Sequence, residues 1–535
     1  MVSFDDLLEE AGAFGHFQKR IFCVLCLLSM PFAAVYVGIV FQGFTPNHWC
    51  RLSGGAAAAE VMEEKMQECG WSLEEALRKS VPLVNVSGDV QPSSCLQYQV
   101  DWNSTTLGCD PTDVDLRGAP VSRCKDGWSY GYKGRSSFVT EFHLVCEDAW
   151  FVDLFQSTIN VGFLAGSFAF GYFADRFGRK ISFLVSNILN AVSGLALALA
   201  PNYVSVLVFR TIFGFGTKGG WMIAYVFMTE IVGVKHRKTV GILFQMFFSV
   251  GLLILPLIAY FITDWRWLQV ALSAPYVLFL AYYCWIIQQI RANLKLASKL
   301  KNNQRALTCD EGDSSSASLL DLFRTPKMRK HTLILMFNWF TSAVVYQGLV
   351  MRVGITGGNI YLDFFISSLV EFPAAFLILF TIERVGRRLP FATANFAAGA
   401  SCFITAFIPD SLLWLKTAVA CVGRLGITMA FEMLVFVNIE LYPTTVRNLG
   451  VSVCSTLCDI GGIIAPFLLY RLAAVWLELP LIIFGLLAFI AGAVVLMLPE
   501  TRGVRLPETI HDVEFPQRII RRRDPQTKSP QFKAK

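Results

Sequence analysis

Charge is what this sequence has least of. Only 16% of its 535 residues are Asp, Glu, Lys or Arg, against 54% that are hydrophobic, whereas soluble domains carry about 25% charged residues. A soluble globular class is excluded. Catalytic and metal signatures are also missing. No Ser/His/Asp set, phosphate-binding glycine loop or clustered His/Cys group appears, the six histidines are scattered, and Cys23 and Cys26 have CxxC spacing only inside an apolar run. No enzyme, cofactor or metal is expected. The first apolar run, 21–42, is too long for a signal-peptide core and lacks a small-residue cleavage site. The net charge of +6 sits mainly in loops beside apolar runs and implies no nucleic-acid partner.

What is present is length without charge. Twelve apolar stretches are each long enough to cross a bilayer: 21–42, 150–171, 181–200, 203–231, 240–262, 266–289, 330–351, 358–380, 389–408, 412–438, 446–470 and 474–498. Basic loops mark the cytoplasmic side. Asp175-Arg176-Phe-Gly-Arg179-Lys180, Lys235 to Lys238, Glu383-Arg384-Val-Gly-Arg387-Arg388, the linker 290–329 and the tail 499–535 with Arg521 to Arg523 all fall there, as does the segment 1–20. Both termini are then cytoplasmic. The segment 43–149 lies outside, and it holds Cys50, Cys69, Cys95, Cys109, Cys124 and Cys146 together with sequons at Asn85 and Asn103. Six cysteines in an oxidising compartment imply three disulfides, with fifteen pairings open. The remaining cysteines lie in spans or inside and are expected reduced.

The chain repeats itself. Asp175-Arg-Phe-Gly-Arg-Lys returns as Glu383-Arg-Val-Gly-Arg-Arg 208 residues later (383 − 175), and the Glu230 segment returns at Glu440 210 residues later (440 − 230). Two matches at nearly one offset define two six-span halves, 150–289 with the first span and 330–498. That is the layout of a secondary transporter with its site between halves at mid-membrane.

Charges inside spans point to that site. Asp459 sits near the middle of the eleventh span. Glu371 and Glu432 lie in spans eight and ten, with Arg210 and Lys218 in span four and Arg424 in span ten. Three acids and three bases permit complete internal pairing. The alternative for Asp459 is a counter-charge left open for a cationic substrate, and the functional reading depends on that carboxylate being unneutralised. A cation site also needs aromatic faces. Trp221 and Tyr225, four apart, share a helical face, as do Trp339 and Tyr346, seven apart. Tyr36, Phe244 and Gln245 lie in spans one and five. Most aromatics in so aromatic a chain pack against lipid or neighbouring helices, and Gln245 has interhelical hydrogen bonding as its plain role. Gly461, Gly462 and Pro466 either let span eleven bend or let helices approach closely.

The loop motifs resemble the cytoplasmic motif of the major facilitator superfamily. The strings Ser136 to Cys146, Leu333 to Leu349, Glu440 to Gly450 and Pro499 to Gly503 resemble its organic cation transporter family, and Leu472 to Phe484 is similar to the third, extraneuronal-monoamine subtype. The resemblance implies an all-α protein of twelve transmembrane helices in two pseudo-symmetric halves, with a large disulfide-linked extracellular loop. It implies facilitated, potential-driven carriage of monoamines and small lipophilic cations across the plasma membrane. Asp459 is then the cation-selecting acid, and Glu371, Trp221, Tyr225, Trp339, Tyr346, Tyr36, Phe244 and Gln245 line the cavity. Asp175, Arg176, Arg179, Glu383, Arg384, Arg387, Glu230, Glu440, Lys218, Arg424 and Glu432 serve gating or structure. Self-association through the extracellular loop is a further expectation. Organic-anion carriers of the family have basic residues near positions 371 and 459. A sodium-coupled zwitterion carrier, an organic anion carrier and a non-transporting sensor are the competing readings. The family's Pro-Glu-Ser-Pro-Arg-Trp-Leu string after the sixth span is absent, because residues 285–298 read Trp-Ile-Ile-Gln-Gln-Ile-Arg-Ala-Asn-Leu-Lys-Leu-Ala-Ser.

Overall fold

The computed structural model describes residues 15–51, 67–70, 72, 81–86, 89–99, 119–124, 127–131, 134–232, 234–280, 321–353, 359–443, 446–502, 507 and 510–514. Twelve long helical segments run through them: α1 (His16–Val37), α2 (Trp150–Phe177), α3 (Arg179–Ala198), α4 (Tyr203–Ile231), α5 (Val234–Phe261), α6 (265–280), α7 (Pro326–Arg352), α8 (Ile360–Leu369 and Glu371–Arg384), α9 (Arg388–Phe407), α10 (Leu413–Leu441), α11 (Arg447–Val475) and α12 (Leu479–Val495). Among the described residues eight helices are long and apolar enough to cross a membrane. Residues 281–320, with the altered segment after the sixth span and most of the linker, lie outside the described residues, as do Asn103 and Cys109.

Local chemistry sets several boundaries. Asn202 caps α4, its side chain accepting from the Ser205 N–H at 2.9 Å, and Asn359 caps α8 through the Tyr361 and Leu362 N–H groups. Pro326 opens α7, where its missing N–H costs nothing. The basic run 235–238, expected as a loop, belongs to the first turns of α5, since nothing between 234 and 255 breaks the helix. The chain forms two compact units. The larger contains the helices. Within it, α1 packs on α5 and α4, α3 on α4, α7 on α11 and α10, and α9 on α10 and α12.

The smaller unit, 40–153 with 262–265, holds three two-stranded antiparallel sheets. They pair β1 (His48–Cys50) with β6 (Trp128–Tyr130), β2 (Leu83–Val86) with β3 (Asp89–Pro92), and β4 (Leu96–Tyr98) with β5 (Val121–Arg123). Among the described residues these sheets are short, and disulfides staple them. Cys50 joins Cys124 and Cys95 joins Cys146, and Cys69 is also disulfide-bonded. Among the described residues, six helix cysteines are free thiols: Cys23, Cys26, Cys402, Cys421, Cys454 and Cys458.

The internal duplication has a backbone counterpart. Gly178 and Gly386, 208 positions apart (386 − 178), both take positive φ, +87° and +110°, at the turns before α3 and α9. In the second half this turn is clamped. The Arg387 guanidinium holds Glu440 at 3.2 Å, Thr501 donates to Glu440 at 2.5 Å, and Glu500 accepts the Arg387 and Arg388 backbone N–H groups at 2.9 and 3.1 Å. Partial burial works against the charged Glu500, but these donors, with those of Arg502 and Thr501, hold its carboxyl below the usual range. Arg502 closes the ring on the Arg384 carbonyl. The 383–388 motif, Glu440 and the 499–502 string thus form one cluster. In the first half Arg176 donates to Tyr172 at 2.7 Å, while the side chains of Asp175, Glu230 and Glu383 are outside the described residues.

A Cβ on Gly386 would stand 2.9 Å from the Glu500 carboxyl in a backbone conformation L-residues rarely adopt. Gly386→Ala is expected to destabilise the purified protein by about 1–3 kcal/mol, read by thermal unfolding.

Candidate functional site

The two halves meet through α2 and α11. Pro466 lies inside α11 without ending it. Its missing N–H frees the carbonyl four residues back, that of Gly462, and the Asn160 amide of α2 donates to that oxygen at 3.0 Å. Ser157 donates to the next carbonyl, Ile463, at 2.8 Å. Gly462 is the reason α2 approaches so closely, because a Cβ there would fall 2.7 Å from Asn160. Of the two sequence readings for these glycines, close packing is what the structure shows.

One turn before this seam α11 presents Asp459, buried at the Lys218 side chain of α4. Lys218 Nζ donates to Asp459 Oδ1 at 2.9 Å, with the side chains 14% and 4% exposed. The expectation of an unneutralised carboxylate is therefore corrected, and with it the footing of a cation reading, which is left with the oxygen that Lys218 does not occupy. Lys218 reaches across the interface from α4, and an isolated buried carboxylate is too costly to leave bare. The pairing is incomplete, however: Asp459 Oδ2 is buried with no hydrogen-bond partner among the described residues.

Around the Lys218 head stand aromatic rings. Lys218 Nζ lies 5.7 Å from the Phe163 ring centre. Phe32 of α1 stacks on Phe163 at 5.7 Å and on Trp221 at 5.1 Å, and Tyr36 stacks on Phe163 at 5.9 Å. Trp221 and Tyr225, which share a face of α4, stack at 6.0 Å, with Phe244 against both at 5.8 Å. The rings pack on one another, so an organic guest has to part them. Phe32, Phe163 and Phe248, which abuts Phe32 at 5.9 Å, were not singled out from the sequence.

The second half supplies a second charged centre. Glu371 begins the lower segment of α8 and is 2% exposed. It accepts from Arg424 at 2.5 Å, Tyr346 at 2.9 Å and, across the halves, Ser249 of α5 at 2.7 Å. The Arg424 guanidinium also lies 4.1 Å from the Tyr346 ring centre and donates to the Tyr346 carbonyl at 3.3 Å. Tyr346 and Trp339 flank Phe431, at 5.9 and 5.6 Å. Gln245 is hydrogen-bonded to Glu432, again between halves. Tyr36 is within electrostatic reach of both Asp459 and Arg424, which ties the two centres into one region.

Complete pairing of the six charges does not occur. Arg210 reaches no span acid among the described contacts. It donates to the Phe155 carbonyl at 2.9 Å and to Gln156 at 3.5 Å, its guanidinium 3.7 Å from the Phe155 ring centre. It braces α4 on α2.

Two duplicated helical halves joined by a buried charge pair, Lys218 with Asp459, have the layout of a secondary carrier of the major facilitator fold. The Major Facilitator Superfamily profile matches residues 151–362. The fold is similar to that in the inward open conformation of the xylose transporter XylE from E. coli, with a TM-score of 0.57 at 14% identity over 93% of this chain and 99% of that one. Solute carrier family 22 member 2 of Mus musculus is 51% identical over 98% of both chains, and member 3 of Mus musculus is 51% identical over 96% of both. Member 1 of Oryctolagus cuniculus is likewise 51% identical over 96% of both. The chain belongs to solute carrier family 22 and is a membrane carrier, not an enzyme. Members 1, 2 and 3 are equally similar, so the third-subtype resemblance rests on residues 472–484 alone.

Proposed function

We propose that this protein carries organic cations, monoamines and small lipophilic cations among them, across the plasma membrane by alternating access. The observation that carries the reading is Asp459: one oxygen on Lys218, the other buried and unpartnered, beside the rings of Phe163, Phe32, Tyr36 and Trp221. A cationic guest reaching this point offers the carboxylate a second positive partner. Opposite charges about 4 Å apart attract by about 4 kcal/mol at an effective dielectric near 20, which offsets much of what Asp459 loses when Lys218 swings off. Cation–π contacts add about 0.5–2 kcal/mol each without demanding one hydrogen-bond geometry, which suits broad specificity. With the substrate gone, Lys218 returns and the empty carrier can reorient without a bare buried charge. Trp339, Tyr346, Glu371, Tyr225, Phe244 and Gln245 complete the wall, while Glu432 and Arg424 act in gating.

In this reading both termini are cytoplasmic and 43–149 is extracellular, glycosylated at Asn85 and Asn103 and available for self-association. Asn85 falls in the β2–β3 hairpin. The clamp of Arg387, Glu440 and Glu500 locks the cytoplasmic end of the second half.

Carriage of one positive charge without a coupling ion ties accumulation to voltage. An inside-negative potential of about 60 mV is worth about 1.4 kcal/mol for a monovalent cation, a tenfold concentration ratio. Cells or proteoliposomes expressing the protein are expected to accumulate tetraethylammonium about tenfold at that potential, and depolarisation should abolish the accumulation. Accumulation that instead follows a sodium gradient would identify the zwitterion carrier, and saturable binding without flux would identify the sensor.

A further inference from the structure

A cavity lies within the second half, away from the aromatic cluster of the first. A cleft of ≈ 750 Å³, its open mouth included, is bounded by the loop-side end of α7, the first turns of α8 and α10, the end of α9 and the start of α12. Its wall is largely apolar, and with the open mouth set aside its interior has room only for a compact organic molecule. Three cations line it, Arg352, Lys416 and Arg424, against one carboxylate, Asp363. Arg352 and Lys416 are fixed by Glu478, at 2.5 and 2.8 Å. They form a rigid positive rim rather than two mobile side chains.

The floor carries the telling atom. Arg424 is 2% exposed and its guanidinium is committed to Glu371 and the Tyr346 carbonyl. Its Nε–H is buried without a hydrogen-bond partner among the described residues. A buried charged donor left unsatisfied is costly unless an acceptor arrives.

We propose that this cleft binds an amphipathic organic anion, its apolar body along α9 and α10 and its anionic head on Arg424 Nε beneath the Arg352–Glu478–Lys416 rim. Asp363 repels a second negative group, which limits the ligand to a single charge. Because Arg424 also holds Glu371, the two sites are linked. An anion on Nε takes up part of the guanidinium's charge and loosens its hold on Glu371, which leaves the central region more negative and more attractive to a cation. Linkage requires the reciprocal effect, the cation tightening the anion by the same factor. This coupling rests on the cation reading given above; the binding itself does not.

Cys421 lines the cleft as a half-buried free thiol and reports its occupancy without any transport. Full-length protein in phosphatidylcholine nanodiscs is exposed to a small methanethiosulfonate, and modification of Cys421 is followed by mass spectrometry. 2-Naphthoate is expected to slow labelling several-fold and saturably, its neutral isostere 2-naphthamide to have little effect, and Thr417→Trp, which fills the cleft, to remove the protection while leaving cation uptake in place. Equal protection by the amide, or none by the acid, overturns the site. Protection by phosphatidylglycerol nanodiscs with no added effect of naphthoate overturns the free acid in favour of a lipid headgroup. Saturating naphthoate should tighten tetraethylammonium binding by at least about fivefold. Unchanged cation affinity alongside a protected Cys421 overturns the coupling alone, and absent cation binding alongside a protected Cys421 counts against the central site instead.

Discussion

Asp459→Asn should lower the initial rate of organic-cation uptake by about a hundredfold or more, normalised to protein at the cell surface. The arithmetic follows from the pair. Removing the carboxylate charge withdraws the attraction that draws in the guest and leaves the Lys218 ammonium in place as a repelling charge. About 4 kcal/mol is available at an effective dielectric near 20, and about 2.7 kcal/mol of it accounts for a hundredfold. Asp459→Glu keeps the sign of the charge with a longer reach, so it should retain part of the rate and change the ranking of substrates by size. Uptake by the Asn variant within threefold of the unaltered protein, at equal surface expression, contradicts the assigned role.

Glu371→Gln should cost stability first. Its carboxylate gathers Arg424, Tyr346 and Ser249 from three helices, and both Arg424 and Glu371 are about 2% exposed. The amide keeps one acceptor but strands a guanidinium in low dielectric, a loss of about 3–5 kcal/mol for a broken buried pair. Purified protein is expected to unfold at lower temperature and to reach the surface poorly. Glu371→Leu with Arg424→Leu removes both charges and should recover most of the loss, since swapping a whole buried pair for apolar groups is close to neutral. A double variant no more stable than Glu371→Gln would mean the cost lies in the Tyr346 and Ser249 bonds rather than in the charge.

Much of the architecture was readable because it rests on local or repeated signals. The span 203–231 coincides with α4, where the Asn202 cap marks the start of a long, mostly apolar run. The repeated loop motif reappears as matched left-handed glycines at 178 and 386, a constraint the chain carries in the residue type itself. The i, i+4 relation of Trp221 and Tyr225 placed them on one helical face, and there their rings stack.

What stayed hidden depends on tertiary register. Lys218 and Asp459 are 241 residues apart, and no periodicity says which of three bases meets which acid. Phe32, Phe163, Phe248 and Phe431 are four of 45 phenylalanines, and only their neighbours distinguish them. Pro466 reads as a helix breaker, yet α11 runs through it because Asn160 of the opposite half satisfies the carbonyl it frees. Arg352 and Lys416 sit at helix ends, where basic residues are ordinary, and only the fold shows them sharing Glu478.

The central claim is that Asp459 recognises the substrate rather than merely balancing Lys218. The most direct measurement is tetraethylammonium flux through proteoliposomes containing the double variant Lys218→Gln, Asp459→Asn, which removes the buried pair as a unit and leaves no stranded charge. If the carboxylate serves the guest, this protein folds with near-normal thermal stability and passes no cation above background. If flux returns to within a few-fold of the unaltered carrier, the pair is structural and the substrate's counter-charge lies elsewhere.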